Sequence, residues 1–246
     1  MTGCAAWPYP FTRTSEEDNA LYYHNRVVAL WQVVIAITNL NLSGVSALCD
    51  KPFGAVLADP PWRFANRTSK VSPEHKRLFR YETMDWNDIA SLPVGDLMAN
   101  NSHCYLWVPN ALIREGLDVL QAWGFTYKSM LVWYKIRQDG GPDGSGVGFY
   151  FRNVTELVLF GVRGRLRTLP PGRRQVNLIA TCKREHSRKP EELYRVIEAC
   201  SPGPFLELFA RHSRQNWISW GDEVDQSIAV QQNEEQYVQQ RFDDLY

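Results

Sequence analysis

Apolar runs bounded by turn residues recur along most of this chain, and their spacing predicts strands alternating with helices. Phe53 to Ala58 is apolar or small at every position and reads as a strand buried on both faces. Tyr105 to Val108, Phe125 to Tyr134, Val154 to Phe160 and Val176 to Thr181 read as further strands, and Pro204 to Phe209 and Trp217 to Trp220 close the body. Helical spacing falls between them. Thr83 or Asp85 can cap a short helix through Ala90 that Pro93 ends. Ala111 to Trp123 turns Leu112, Leu117, Val119 and Leu120 inward and stops at Gly124. Pro190 stands where a helix over Glu191 to Cys200 begins, a position that tolerates proline. Strand–helix alternation of this kind implies an α/β sandwich with a mostly parallel sheet.

Outside that body the pattern changes. Residues 1–50 comprise an aperiodic arm and a helix over Leu21 to Leu42, apolar on most of its circumference and suited to packing on the body or a partner. Residues 51–224 form the main domain, and residues 225–246 an acidic, Gln-rich tail expected to be a loose helix or disordered. Asn66 to Arg80 is polar and basic without apolar period, hence a loop. Arg137 to Gly148 holds five glycines and a proline in twelve residues, which suits a lid or substrate clamp.

The 246 residues are enough for one large core, and 44% hydrophobic with 22% charged residues is ordinary for a soluble protein. Five scattered cysteines without a C-x-x-C exclude a disulfide framework, and neither they nor the five histidines show metal-ligand spacing, so no metal is expected. The longest apolar stretch, Val27 to Ile37, is broken by Gln32 and too short for a bilayer. With Pro8, Pro10 and the acids Glu16, Glu17 and Asp18 near the N-terminus, no signal peptide is read. The expectation is a cytoplasmic protein, or a nuclear one in a eukaryote. Net charge is zero, but seven acids and one base lie in Asp222 to Tyr246, which leaves the body a surplus of six positive charges. Much of it is Arg163, Arg165, Arg167, Arg173 and Arg174, followed by Lys183, Arg184, Arg188 and Lys189. Clustered arginines suit phosphate contact, the plainer alternative being a solvated loop.

The strand Phe53 to Ala58 runs into Asp59-Pro60-Pro61-Trp62. An exocyclic base amine is a poor nucleophile because its lone pair is drawn into the ring. A carboxylate at a strand tip can accept one N–H and the Pro60 carbonyl the other, freeing the lone pair for in-line attack on a methyl sulfonium. Prolines fix φ and withdraw backbone donors, so the turn presents acceptors. Trp62 offers a face on which an extruded base could stack. A second apolar strand, Phe205 to Phe209, ends at Arg211, which could hold the carboxylate of a methionine moiety, with Ser213 and Asn216 for hydrogen bonds. No G-x-G-x-x-G follows any strand, which weighs against a dinucleotide enzyme.

Several motifs stand in one order: Ala58-Asp59-Pro60-Pro61-Trp62, Tyr81-Glu82-Thr83-Met84, Leu106-Trp107-Val108, Trp123-Gly124-Phe125, Val132-Trp133-Tyr134-Lys135, Gly146-Val147-Gly148-Phe149-Tyr150, Glu156-Leu157-Val158-Leu159, His186-Ser187-Arg188-Lys189-Pro190 and Glu207-Leu208-Phe209-Ala210-Arg211. Over Phe53 to Glu223 the chain resembles the MT-A70 family of adenine amino-methyltransferases, above all its compact bacterial and phage members. The resemblance implies a Rossmann-like, S-adenosylmethionine-dependent sandwich in permuted order, the catalytic motif preceding the cofactor strand. It implies methyl transfer to the N6 amine of adenine in DNA, with RNA the second candidate. Asp59, Pro60, Pro61 and Trp62 would act on the base, with Tyr81 nearby and Lys135 and Glu156 as further substrate contacts. Asp59, Lys189, Arg211, Ser213 or Arg214, and the positions after Gly221 would hold S-adenosylmethionine. Members usually carry Asn after that glycine, whereas Asp222 and Glu223 stand here, so a carboxylate would take the ribose. The arginine cluster would bind the nucleic acid. The chain would act as a monomer or homodimer, with a heteromeric partner also open and no membrane. Two other readings stay open: cytosine N4 methylation, and a non-catalytic nucleic-acid-binding subunit, although such partners lose the acid or the prolines that are intact here.

Overall fold

The computed structural model describes residues 48–63, 83–144, 150–170, 172–182 and 189–221, with Leu42 and Val45. The N-terminal arm, the helix expected over Leu21 to Leu42 (save Leu42), the Asn66 to Arg80 loop, Tyr81, Asp222, Glu223 and the acidic tail lie outside the described residues.

Seven strands form one sheet: β1 (Phe53–Ala58), β2 (Met98–Val108), β3 (Thr126–Ile136), β4 (Thr155–Arg163), β5 (Leu178–Cys182), β6 (Phe205–Leu208) and β7 (Trp217–Trp220). Their order is β5-β3-β4-β2-β1-β6-β7. All pairings are parallel except those of β4, which runs against both β2 and β3. The expected mostly parallel sheet is therefore observed as a mixed one with a single reversed strand. β1 lies inside the sheet between β2 and β6 and is buried at every position, as its unbroken apolar run requires. β2 begins seven residues earlier than expected, because the polar stretch Met98 to Cys104 pairs with β1 and β4. Its Asn101 is used at the sheet edge, where Oδ1 accepts the Arg165 backbone N–H at 3.0 Å.

Helices cover both faces. On one lies α4 (Glu191–Cys200), whose Leu193, Val196 and Ile197 pack with Leu57, Tyr105, Trp107, Trp133 and Phe160. On the other lies α3 (Ile113–Ala122), so close to β4 that a Cβ at Gly161 would come within 2.9 Å of Leu120 and Phe125. Two short helices, α1 (Trp86–Ser91) and α2 (Val94–Leu97), precede β2. Asp85 caps α1 by accepting the Asn87 N–H at 3.1 Å, which decides between the two candidate caps. Trp123 follows α3, is fully buried, and donates its indole N–H to the Ile89 carbonyl at 3.0 Å, locking α1 to α3. Gly124 ends that helix turn with φ of 84°, a conformation glycine adopts without cost.

The start of β1 leaves no room for a side chain. A Cβ at Gly54 would lie 2.3 Å from the Pro202 carbonyl oxygen and 2.8 Å from that of Gly203, both backbone atoms. Gly54→Ala is expected to destabilise the protein by roughly 1–3 kcal/mol through overpacking. Urea denaturation measures it, and a midpoint equal to wild type would show that the strand can shift.

Candidate active site

From β1 the chain passes to β2 on one side, and from β6 it passes to β7 on the other. The carboxyl ends of β1 and β6 thus mark the topological switch point, where open α/β sheets hold their ligands. Asp59 stands there, its backbone N–H reaching the Leu208 carbonyl at 3.4 Å. The turn after it is tied by its carbonyls. Pro60 O accepts the Trp62 N–H at 2.9 Å, Pro61 O accepts the Met84 N–H at 2.8 Å, and Met84 O accepts the Arg63 N–H at 3.0 Å. Each proline carbonyl has a second lone pair left for a ligand donor. Trp62 is only 6% exposed and donates its indole N–H to the Trp107 carbonyl at 2.8 Å. The stacking face expected of Trp62 is thus nearly all covered, and the ring pins the turn to the end of β2.

Because β4 runs backwards, its first residues return to the same edge, and Glu156 arrives beside the ends of β2 and β3. Four charges alternate there. Lys135 bonds Glu156 Oε1, Lys189 Nζ lies 3.0 Å from Glu156 Oε2, and the same Nζ lies 3.2 Å from Asp59 Oδ1. Lys189 also sits 4.4 Å from the Trp107 ring centroid and Lys135 4.8 Å from that of Trp133, both cation–π contacts. Burial alone would lower the Lys189 pKa, but Asp59 and Glu156 outweigh it, so the ammonium is held above its ordinary value. Burial would likewise raise Glu156, and Lys189 and Lys135 reverse that, holding it ionised below the usual carboxylate range. Trp107 is buried, and its indole N–H has no hydrogen-bond partner among the described residues.

The second wall is the eight-residue link from β6 to β7. It opens with Phe209 at φ of 62°, a left-handed conformation that a bulky side chain adopts only when its surroundings enforce it. The Phe209 ring meets Trp220 edge-on at 5.9 Å. Arg211 is half-buried on this link and Ser213 is exposed. Arg214 binds Glu191 at the start of α4 and lies 3.7 Å over the Tyr194 ring, so its fold role is to hold this link against the helix. Gly221, at the end of β7, approaches Ala210 so closely that a Cβ would come within 2.1 Å of the Ala210 carbonyl oxygen. Sequence reasoning passed over Glu207, although an acid inside an apolar strand was a visible signal. Glu207 Oε1 accepts the Tyr194 hydroxyl at 2.7 Å. Its carboxyl is pushed up to about 7, first by burial and then by repulsion from Asp59 and Glu191, against the pull of Tyr194 and Arg214.

Asp59, Pro60, Pro61, Lys135, Glu156, Lys189 and Arg211 are therefore brought to one edge of the sheet. The arginine cluster is not. Arg163 pairs in register with Ser102, and Thr126 of β3 pairs with Val162, so the end of β4 lies at the opposite edge. Seven residues of extended strand separate Glu156 from Arg163, roughly 23 Å. Arg163 bonds the Gly95 carbonyl, Arg173 the Thr168 carbonyl, and Gly172 packs on Cys200 at the far end of α4. Arg165, Arg167, Arg173 and Arg174 are exposed there. The five arginines expected to contact phosphates therefore stand at the edge opposite Asp59.

A family model described as MT-A70 matches residues 53–223. The N(6)-adenosine-methyltransferase MT-A70-like protein of Drosophila melanogaster is 33% identical over 177 residues, covering 70% of this chain and 27% of that protein. The human N(6)-adenosine-methyltransferase catalytic subunit METTL3 is 30% identical, covering 70% of this chain and 28% of that protein. Type II methyltransferase M.MunI of Mycoplasma sp is 27% identical over 191 residues, covering 71% of this chain and 78% of that protein. The chain thus spans about a quarter of the length of the first two and most of the third.

Glu207 gives the site a pH signature. In the unfolded chain this acid ionises near its ordinary value of 4.5, whereas the fold keeps it protonated up to about 7. Its contribution therefore lowers stability as pH rises between those values, and levels off above them. Glu207→Gln keeps an acceptor for Tyr194 and removes the titration. Melting curves of the variant are expected to depend less on pH between 5 and 7 than those of wild type, and parallel profiles would refute the shift.

Proposed function

We propose that this chain, which belongs to the MT-A70 family, transfers a methyl group from S-adenosylmethionine to the N6 amine of adenine in DNA. The observation that carries this reading is Asp59, an acid at the switch point with a proline carbonyl beside it and a lysine 3.2 Å from its oxygen. DNA is placed before RNA because the chain matches M.MunI over most of that enzyme's length and the adenosine methyltransferases over about a quarter of theirs. The residues fit the donor. Trp107 holds a buried indole N–H without an acceptor among the described residues, and the close approach of Gly221 to Ala210 brings the end of β7 against the link that carries Arg211. Arg211 would take the donor's carboxylate, with Ser213 beside it, and Asp59 and Glu207 supply acids for its ammonium group. Asp222 and Glu223 are proposed for the ribose. When bound, S-adenosylmethionine supplies an electrophilic methyl group.

This chain's own residues would do the rest. The Asp59 carboxylate accepts one N–H of the adenine amine and the Pro60 carbonyl the other, so the nitrogen lone pair turns toward the methyl. Lys189 orients Asp59 and balances its charge, and Glu156, gripped by two lysines, holds Lys189 in place. The prolines keep competing backbone donors away from the amine. No strong base is needed, since the amine becomes acidic once methylated and then loses its proton.

Two substitutions separate the roles. Asp59→Ala is expected to lower methyl transfer by at least about a hundredfold in a protein that still folds with a reduced melting temperature, because it removes an acceptor aimed at the reacting atom and one of the two acids that hold Lys189. Wild-type turnover in that variant would sink the assignment. Arg211→Ala is expected to weaken S-adenosylmethionine binding by about tenfold or more, the cost of a charge-assisted hydrogen bond. Calorimetry with unchanged affinity would remove Arg211 from the donor site. Mass spectrometry of nucleosides from DNA and RNA incubated with protein and donor decides the polymer and the base.

A further inference from the structure

The loop between β3 and β4 carries two aromatic side chains that the fold does not use. Tyr150 is 94% exposed and Phe151 85% exposed, against at most 66% for every other exposed large hydrophobic residue among those described. They lie five and four residues before the start of β4, whose first residues lie at the edge holding Asp59, Lys135 and Lys189. Phe151 is five residues from Glu156, within roughly 17 Å even if the link is fully extended. Two adjacent rings of this kind each have 150–250 Å² of surface to bury, about the area that stacked bases cover. The segments leaving this edge are also cationic: Arg63 after β1, Arg137 after β3 and Arg152 before β4 are all exposed. Arg137 is neutralised by Asp139 at 2.9 Å, whereas the Arg152 guanidinium reaches the Gly144 carbonyl and that of Arg63 the Thr83 carbonyl. Rings for base faces beside cations for phosphates are the composition of a single-strand binding platform.

We propose that Tyr150 and Phe151 form a stacking platform at the lip of the active site for the bases flanking the target adenine in an unpaired or locally opened strand. This rests on the methyltransferase reading, and it assigns to these two residues the stacking role that the covered Trp62 ring cannot fill. Extruding a base costs stacking energy, and rings that take over its neighbours return part of it.

The test uses the full chain with both residues changed to Ala, and a second variant, Tyr150→Phe with Phe151→Tyr, that keeps both rings. Fluorescence anisotropy follows binding of labelled mixed-sequence oligonucleotides as single-stranded DNA, duplex DNA and single-stranded RNA at several salt concentrations. The double Ala variant is expected to bind single strands at least about tenfold more weakly with an unchanged salt slope, since rings and not charges are lost. The ring-preserving variant is expected to match wild type, and donor affinity and melting temperature to hold in both. Unchanged single-strand affinity in the double Ala variant overturns the platform. So does a loss of donor affinity alongside it, which would report a collapsed site, and so does dissociation of a wild-type dimer without change in nucleic-acid binding, which would make the rings a contact between copies. A wild-type protein that binds strands through these rings yet transfers no methyl group to DNA or RNA would overturn the methyltransferase reading and leave the platform standing.

Discussion

A carboxylate taken partly out of water must be compensated, and the carboxyl edge of this sheet is arranged around that requirement. Asp59 cannot stand at the end of a fully buried strand without a cation, and Lys189 supplies one from the segment leading into α4. Lys189 is itself half-buried, and Glu156 faces it from β4, so that the two acids together outweigh the cost of its burial. Glu156 in turn is held by Lys135 from β3. Four elements distant in sequence are thereby committed to one geometry, because removing any one partner leaves an uncompensated charge in a poorly hydrated site.

The same requirement explains the reversed strand. If β4 ran parallel to its neighbours, its first residues would lie at the far edge and Glu156 with them. Running antiparallel, it delivers Glu156 next to Trp133 of β3, so that the segment carrying Tyr150 and Phe151 joins the sheet at this edge. It also carries Arg163 and the arginines that follow to the opposite edge. One strand direction thus selects which basic and aromatic residues can meet a substrate at Asp59.

Around the charges, aromatic side chains fix positions that hydrogen bonds alone would leave loose. Trp62 ties the Asp-Pro-Pro turn to β2, Trp107 lies under Lys189, and Arg214 flattens on Tyr194 to hold the β6–β7 link against α4. The strained Phe209 backbone sits where that link leaves β6. Strain of this kind persists only where packing enforces it, and here it shapes the turn at which a ligand would enter the switch point.

Much of this was legible in the chain itself. A buried strand announces itself by its apolar run, so β1 and β7 were read with their observed bounds, and α4 was read with its own because Pro190 marks where the helix begins. Asp59 was legible because an acid followed by two prolines has few local explanations. The MT-A70 membership was legible because its motifs are short, ordered segments. What sequence could not decide was adjacency and direction. The polar start of β2 reads as a turn until β1 and β4 pair with it, and nothing within β4 says which way it runs. The basic residues after Glu156 stand out by their charge, but which edge of the sheet they occupy depends on the direction of β4. Trp62 read as an open stacking face because its burial depends on Trp107, forty-five positions away. Local propensity and capping act within a few residues, whereas strand pairing, charge compensation and burial are settled by contacts across the whole chain. Sequence therefore determined most of the elements and singled out Asp59, and the tertiary structure decided which residues share its edge of the sheet.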